Sequence, residues 1–189
     1  STAQHRKWKW PVIGYVIALH LFSVALIVKT DFIPKVKAKL GVAATPNPHV
    51  SNMVRYHQWM DKSVPDKATI FLGDSITQGL ATAAVAPYSI NYGIGSENTA
   101  QLLDALPSYI SLTRASTIVL AIGINDLAQD MKNGLNDRYK KITEVLPQKT
   151  LLIWNAVMPA RHEKIAPQDI VNANKVIKSL CANRGTCIF

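Results

Sequence analysis

A chain of 189 residues, 48% of them hydrophobic, suits one globular domain with its own core and some sequence to spare. The formal net charge of +9 is gathered at one end: residues 1–39 hold seven Lys and Arg against one Asp, residues 40–189 fourteen against eleven Asp and Glu. A globular part so close to balance argues against a nucleic-acid partner, which needs a basic face on the folded domain. The absence of a Cys/His cluster at zinc spacing argues against a structural metal.

The basic end brackets an apolar run, PVIGYVIALHLFSVALIV, from Pro11 to Val28, without Asp, Glu, Lys or Arg. About 18–20 apolar residues cross a bilayer core. Trp8 and Trp10 stand at its mouth, where amphipathic rings prefer the lipid interface. A cleaved signal would carry a shorter apolar region of about 7–15 residues with a small-residue site close behind. The nearest such site here, Val42-Ala43-Ala44, is far downstream. The expectation is a retained anchor contacting membrane lipid through residues 8–29. Lys and Arg on both flanks leave the positive-inside rule undecided; a short tail ahead of a large domain favours tail in and domain out. That implies a single-pass protein of the cell membrane with an extracytoplasmic globular domain.

Residues 1–29 are thus read as tail and anchor, 30–66 as stalk and amphipathic helix, and 67–189 as the globular domain. Pro34, Pro46 and Pro48 mark the stalk. HVSNMVRYHQWMDK (His49–Lys62) has apolar residues at helical spacing. After it come a strand at ATIFL, a short strand around Ile90, a helix from Asn98 bent near Pro107, and a strongly apolar strand STIVLAIG. A helix over LNDRYKKITEVL, a strand TLLIWNA, a helix from Pro167 and a last strand at TCIF complete the series. Continuous apolar strands alternating with helices call for a parallel sheet covered by helices. Cys181 and Cys187 flank Gly185 and suit a local disulfide in an exported domain.

Ligands of such sheets bind beyond the carboxyl ends of the strands. Those ends carry Gly73-Asp74-Ser75, then Asn91 to Ser96, then Gly123-Ile124-Asn125-Asp126, then Asn155. A tight turn at Gly73 would expose the Ser75 hydroxyl, with Asp74 or Thr77 capping the helix that follows. Taken alone, Ser75 reads more readily as a helix cap in an ordinary loop. A phosphate cradle lacks its Gly-Lys-Ser/Thr, the G-x-G-x-x-G pattern fails at Asn98, and the G-x-S-x-G elbow is absent.

GDSIT, NYGIGSENT and GINDL, in this order and each after a predicted strand, resemble the motifs of the SGNH hydrolases, also called the GDSL family. The resemblance covers roughly residues 68–189. It implies a flavodoxin-like three-layer α/β/α sandwich with a parallel sheet. It implies Ser75 as nucleophile and an oxyanion hole made of the Ser75 N–H, a backbone N–H of the second motif and the Asn125 side-chain amide. Gly73, Asp74 and Gly123 would support these turns. Aligned without gaps, Ser96 stands where the family has its oxyanion glycine, with Gly95 one residue earlier, so either could supply the donor. The family's Asp-x-x-His is missing: none of His5, His20, His49, His57 and His162 has an Asp three residues before it. The pair normally follows the strand that TCIF begins, so the chain is expected to stop short of it. A rival base is His162, in the loop VMPARHEK.

The resemblance implies an enzyme acting on a small-molecule or glycan ester through an acyl-serine intermediate, with no cofactor and no metal. Water as acceptor gives an esterase; a sugar hydroxyl gives an O-acyltransferase on cell-envelope glycans. A relative that kept the fold and lost the base would instead bind carbohydrate or act as a scaffold.

Overall fold

The computed structural model describes residues 2–29 and 47–189, which fall into two units, one on each side of Pro46. The expected stalk lies largely outside the described residues. Among the described residues the first unit holds one helix, α1 (Thr2–Lys29), whose segment Trp10–Ile27 has a mean hydropathy of 2.0, enough to span a membrane or to serve as a signal sequence. Two of its polar side chains bond within the helix. His20 Nδ1 lies 2.8 Å from the Val16 carbonyl, and the Ser23 hydroxyl donates to that of Leu19 at 2.8 Å. A helix that closes its own hydrogen bonds tolerates a surrounding without water.

The second unit, Asn47–Phe189, begins ahead of the expected boundary at 67, because α2 (Pro48–Asp61) packs into it. Asn47 caps α2 by accepting from the His49 N–H at 3.0 Å, and Pro48 occupies the first turn, where its missing N–H costs nothing. Val50, His57 and Asp61 face inward. His57 stacks on Tyr92, with ring centroids 4.9 Å apart, and burial pushes its pKa down to about 4. The buried Asp61 carboxylate accepts from the Tyr92 hydroxyl at 2.8 Å and from both the backbone N–H and the hydroxyl of Ser111. One carboxylate therefore ties α2 to the sheet and to the turn at Ile110–Arg114.

The remaining elements alternate as expected: β1 (Thr69–Gly73), α3 (Ser75–Gln78), β2 (Ser89–Gly93), α4 (Thr99–Ala105), β3 (Thr117–Ala121), α5 (Ile124–Ala128), α6 (Leu135–Val145), β4 (Leu151–Trp154), α7 (Pro167–Arg184) and β5 (Cys187–Ile188). The helix after β2 does not bend at Pro107. It ends at Ala105 and continues as a short 3-10 turn, Leu106–Ser108, in which Pro107 fits without an intrahelical donor. The five strands are all parallel in the order β2-β1-β3-β4-β5, flanked by helices in the three-layer α/β/α arrangement.

Strand alternation puts Ile70, Leu72, Ile118, Leu120, Leu152 and Trp154 on one face, all at most 1% exposed. They share the core with Leu102, Tyr139, Ile142 and Ile177 from the helices. Cys181 and Cys187 form a disulfide that joins α7 to β5 around Gly185.

Asp61→Ala removes the acceptor from three buried donors at once. It is expected to destabilise the domain by about 3 kcal/mol in denaturant unfolding, and Asp61→Asn by less.

Candidate active site

The sheet order reverses between β1 and β3, and the crevice at such a switch point is where ligands bind in open α/β sheets. Ser75 stands at the carboxyl end of one of these strands and Asn125 just beyond the other.

The turn after β1 depends on Gly73, at φ +154°, where an added Cβ would lie 2.2 Å from the Ala121 carbonyl oxygen. Asp74, buried, caps α3 by accepting from the Ile76 N–H at 3.0 Å. Its carboxyl lies above the usual range because burial penalises the charge; the Ile76 hydrogen bond opposes this and the nearby Asp126 adds to it. Ser75 is exposed, and among the described residues neither its hydroxyl nor its backbone N–H has a hydrogen-bond partner.

The second loop is pinned to the first by side chains of α3 and β2. Asn91 donates to the carbonyls of Thr77 and Leu80 at 2.7 and 3.0 Å, and the Ile94 N–H reaches the Gly73 carbonyl at 2.8 Å. Gln78 Oε1 accepts from the Gly95 N–H at 2.6 Å. The donor at Gly95 is thus occupied, whereas the Ser96 N–H is unpaired among the described residues. Ser96 holds φ +66° in the turn closed by Glu97 N–H to Ile94 carbonyl, a position that favours glycine. Asn98 caps α4 in a full capping box with Gln101.

The third loop turns at Gly123, at φ +128°, where a Cβ would meet the Tyr139 hydroxyl at 2.0 Å. Asn125 Nδ2 donates to the Glu97 carbonyl at 2.8 Å, which spends one of its two hydrogens and leaves one unpaired. Below it, the fully buried Asp126 accepts from the Thr99 N–H at 3.0 Å and the Thr99 hydroxyl at 2.5 Å. Arg138 closes the network, 3.2 Å from Asp126 and 2.7 Å from the Thr99 hydroxyl. Three separate loops therefore present three unpaired donors: the N–H groups of Ser75 and Ser96 and one hydrogen of the Asn125 amide.

Sequence reasoning missed Gln78, Asp126, Thr99, Arg138 and the buried Glu97. Asp126 had a signal, since it follows Asn125 within the motif. Gln78 and Arg138 had none, being polar residues on helices whose reach only the fold defines. Glu97 is 1% exposed, and neither of its carboxylate oxygens has a hydrogen-bond partner. Burial raises its pKa well above the ordinary value, and the neighbouring Asp74 adds to the shift. Of the histidines, His57 is buried against Tyr92, and His162 Nδ1 accepts from the Lys164 N–H at 3.2 Å, engaging its own loop.

No family model matches this sequence, and no curated protein matches it. Solved structures do. A Streptococcus pneumonia protein provisionally named a platelet activating factor shares 19% identity over 75% of this chain and 73% of its own, with a TM-score of 0.67. A GDSL-like lipase from Bacteroides thetaiotaomicron shares 21% over 73% and 77%, with a TM-score of 0.59. A catalytic mutant of an acetylxylan esterase from Geobacillus stearothermophilus shares 17% over 64% and 74%, with a TM-score of 0.51. The chain has the fold of the SGNH, or GDSL-like, hydrolases.

A carboxyl whose folded pKa is raised makes the fold lose stability as pH climbs from the ordinary carboxylate range, near 4.3 for Glu, toward the folded value. Glu97→Gln keeps the shape without the charge. Its melting temperature is expected to match the parent's at about pH 4 and to exceed it increasingly toward pH 8; thermal melts across that range check this.

Proposed function

We propose that this protein is a membrane-anchored serine ester hydrolase of the SGNH type, working through an acyl-Ser75 intermediate. The observations that support the reading are an exposed, unpartnered serine hydroxyl at the switch point of the sheet and unpaired donors at Ser75, Ser96 and Asn125 on the loops that follow β1, β2 and β3. Ser75 Oγ attacks the ester carbonyl carbon, and its proton passes to a base. The carbonyl oxygen gains the negative charge and is held by the N–H groups of Ser75 and Ser96 and by Asn125. Preorganised donors of this kind stabilise the charge without reorganising, and each is worth about 10²–10³ in rate. Collapse breaks the bond to the alcohol, which leaves with the proton, and water then hydrolyses the acyl-serine. Ser96 is favoured over Gly95 as donor because Gln78 already holds the Gly95 N–H.

In the family that the sequence resembles, the base is the histidine of an Asp-x-x-His pair. Length and hydropathy of α1 favour a retained membrane anchor, and a disulfide in the folded unit favours an oxidising, extracytoplasmic setting. Ester substrates, small or glycan, suit the site.

Full-length protein is expected to react with a fluorophosphonate probe at Ser75 and to hydrolyse aryl acetates. Ser75→Ala should abolish labelling and lower turnover by about 10⁶. Asn125→Ala should keep the labelling site and lower kcat by about 10²–10³. Unchanged hydrolysis by Ser75→Ala would end the assignment.

A further inference from the structure

Gln78 stands one helical turn after Ser75 and therefore on the same face of α3. Beside it stands a residue from outside the three motifs. A Cβ built on Gly95 would lie 2.8 Å from Gln78 Oε1 and 3.4 Å from His49 Nε2. The space above Gly95 is thus walled by two polar side chains from two different helices.

His49 is exposed and lies in the first turn of α2, whose start is fixed by the Asn47 cap and whose body is locked by His57 and Asp61. An imidazole so carried is held in place by its helix and still free to bind. Gln78 Oε1 is spent on Gly95, which leaves the His49 ring and the Gln78 amide hydrogens as groups able to bind a substrate here.

We propose that His49 is a specificity-determining residue, binding hydroxyl groups of the alcohol part of an O-acylated sugar or polyol. This deepens the esterase reading and rests on it. It assigns α2 a part in the site and selects hydroxylated esters over plain hydrocarbon ones. A site that hydrogen-bonds substrate hydroxyls discriminates strongly against analogues without them.

The test uses full-length protein with O-acetylated xylo-oligosaccharides and p-nitrophenyl acetate. His49→Ala should raise KM for the sugar esters about tenfold with kcat within about threefold, and should leave aryl acetate hydrolysis within about twofold. His49→Gln, which keeps a hydrogen-bonding side chain, should recover most of the sugar-ester KM. A second measurement needs no turnover. Ligand-observed NMR on Ser75→Ala protein should detect the sugar esters, and adding His49→Ala should weaken Kd about tenfold. Equal loss on both substrates, no change on either, or no sugar binding by Ser75→Ala protein overturns the proposal. Failure of the esterase reading looks different: Ser75 goes unlabelled while sugar binding and its dependence on His49 persist.

Discussion

The site depends on one buried carboxylate. Asp126 accepts from the backbone and hydroxyl of Thr99 and pairs with Arg138, all within 3.2 Å. Thr99 opens the helix that follows the second loop, and Asp126 lies one residue past Asn125, so this contact sets the distance between those loops. A buried charge is tolerated only when its lone pairs are filled and a partner is near, and both conditions are met here. Because those donors come from two other elements, the carboxylate also dictates where those elements sit. The Asn125 bond to the Glu97 carbonyl is then a short step from a fixed base. Gln78 and Asn91 do the same work between the first loop and the second.

This arrangement separates structural polar groups from reactive ones. Asp74, Asp126, Asn91 and Asn98 spend their hydrogen bonds on loops and caps. The donors left unpaired are at Ser75, Ser96 and Asn125, on the loops that follow β1, β2 and β3. In the function proposed above, such donors stand ready to meet charge that develops only during reaction. The left-handed backbone at Ser96 belongs to the same pattern: local strain carried by a loop whose position the neighbouring hydrogen bonds determine. Glu97, buried without a partner beneath that turn, is a second cost borne at the same place.

The fold was legible because its signals are local. Apolar runs such as STIVLAIG read as core strands, and Ile118 and Leu120 are buried with Thr117, Val119 and Ala121 partly so; the helices between them show one-sided apolar spacing. The motif residues were legible because a strand end, a glycine and a short polar run recur in order. Asp74 as cap followed from side-chain reach within a few residues. What escaped was any contact whose partners are far apart in sequence. Arg138 meets Thr99 across 39 residues, and Asp61 meets Ser111 across 50. No periodicity encodes such pairs. His49 escaped for the same reason: on the sequence it opens an amphipathic helix, and only the packing of α2 brings it beside Gly95. The continuation of the helix after β2 as a 3-10 turn instead of a bend was a matter of backbone geometry at Pro107, which spacing cannot resolve.

The central claim is spatial: a nucleophilic oxygen and three waiting donors share one small volume. A crystal structure of the full-length protein reacted with an organophosphate ester tests it directly, since the phosphoryl oxygen of the adduct stands where the anionic oxygen of the tetrahedral intermediate would be. The account predicts phosphorus on Ser75 Oγ, with that oxygen about 2.7–3.1 Å from the backbone nitrogens of Ser75 and Ser96 and from Asn125 Nδ2. An adduct whose oxygen turns to solvent, or lies beyond hydrogen-bond reach of Asn125, would contradict it.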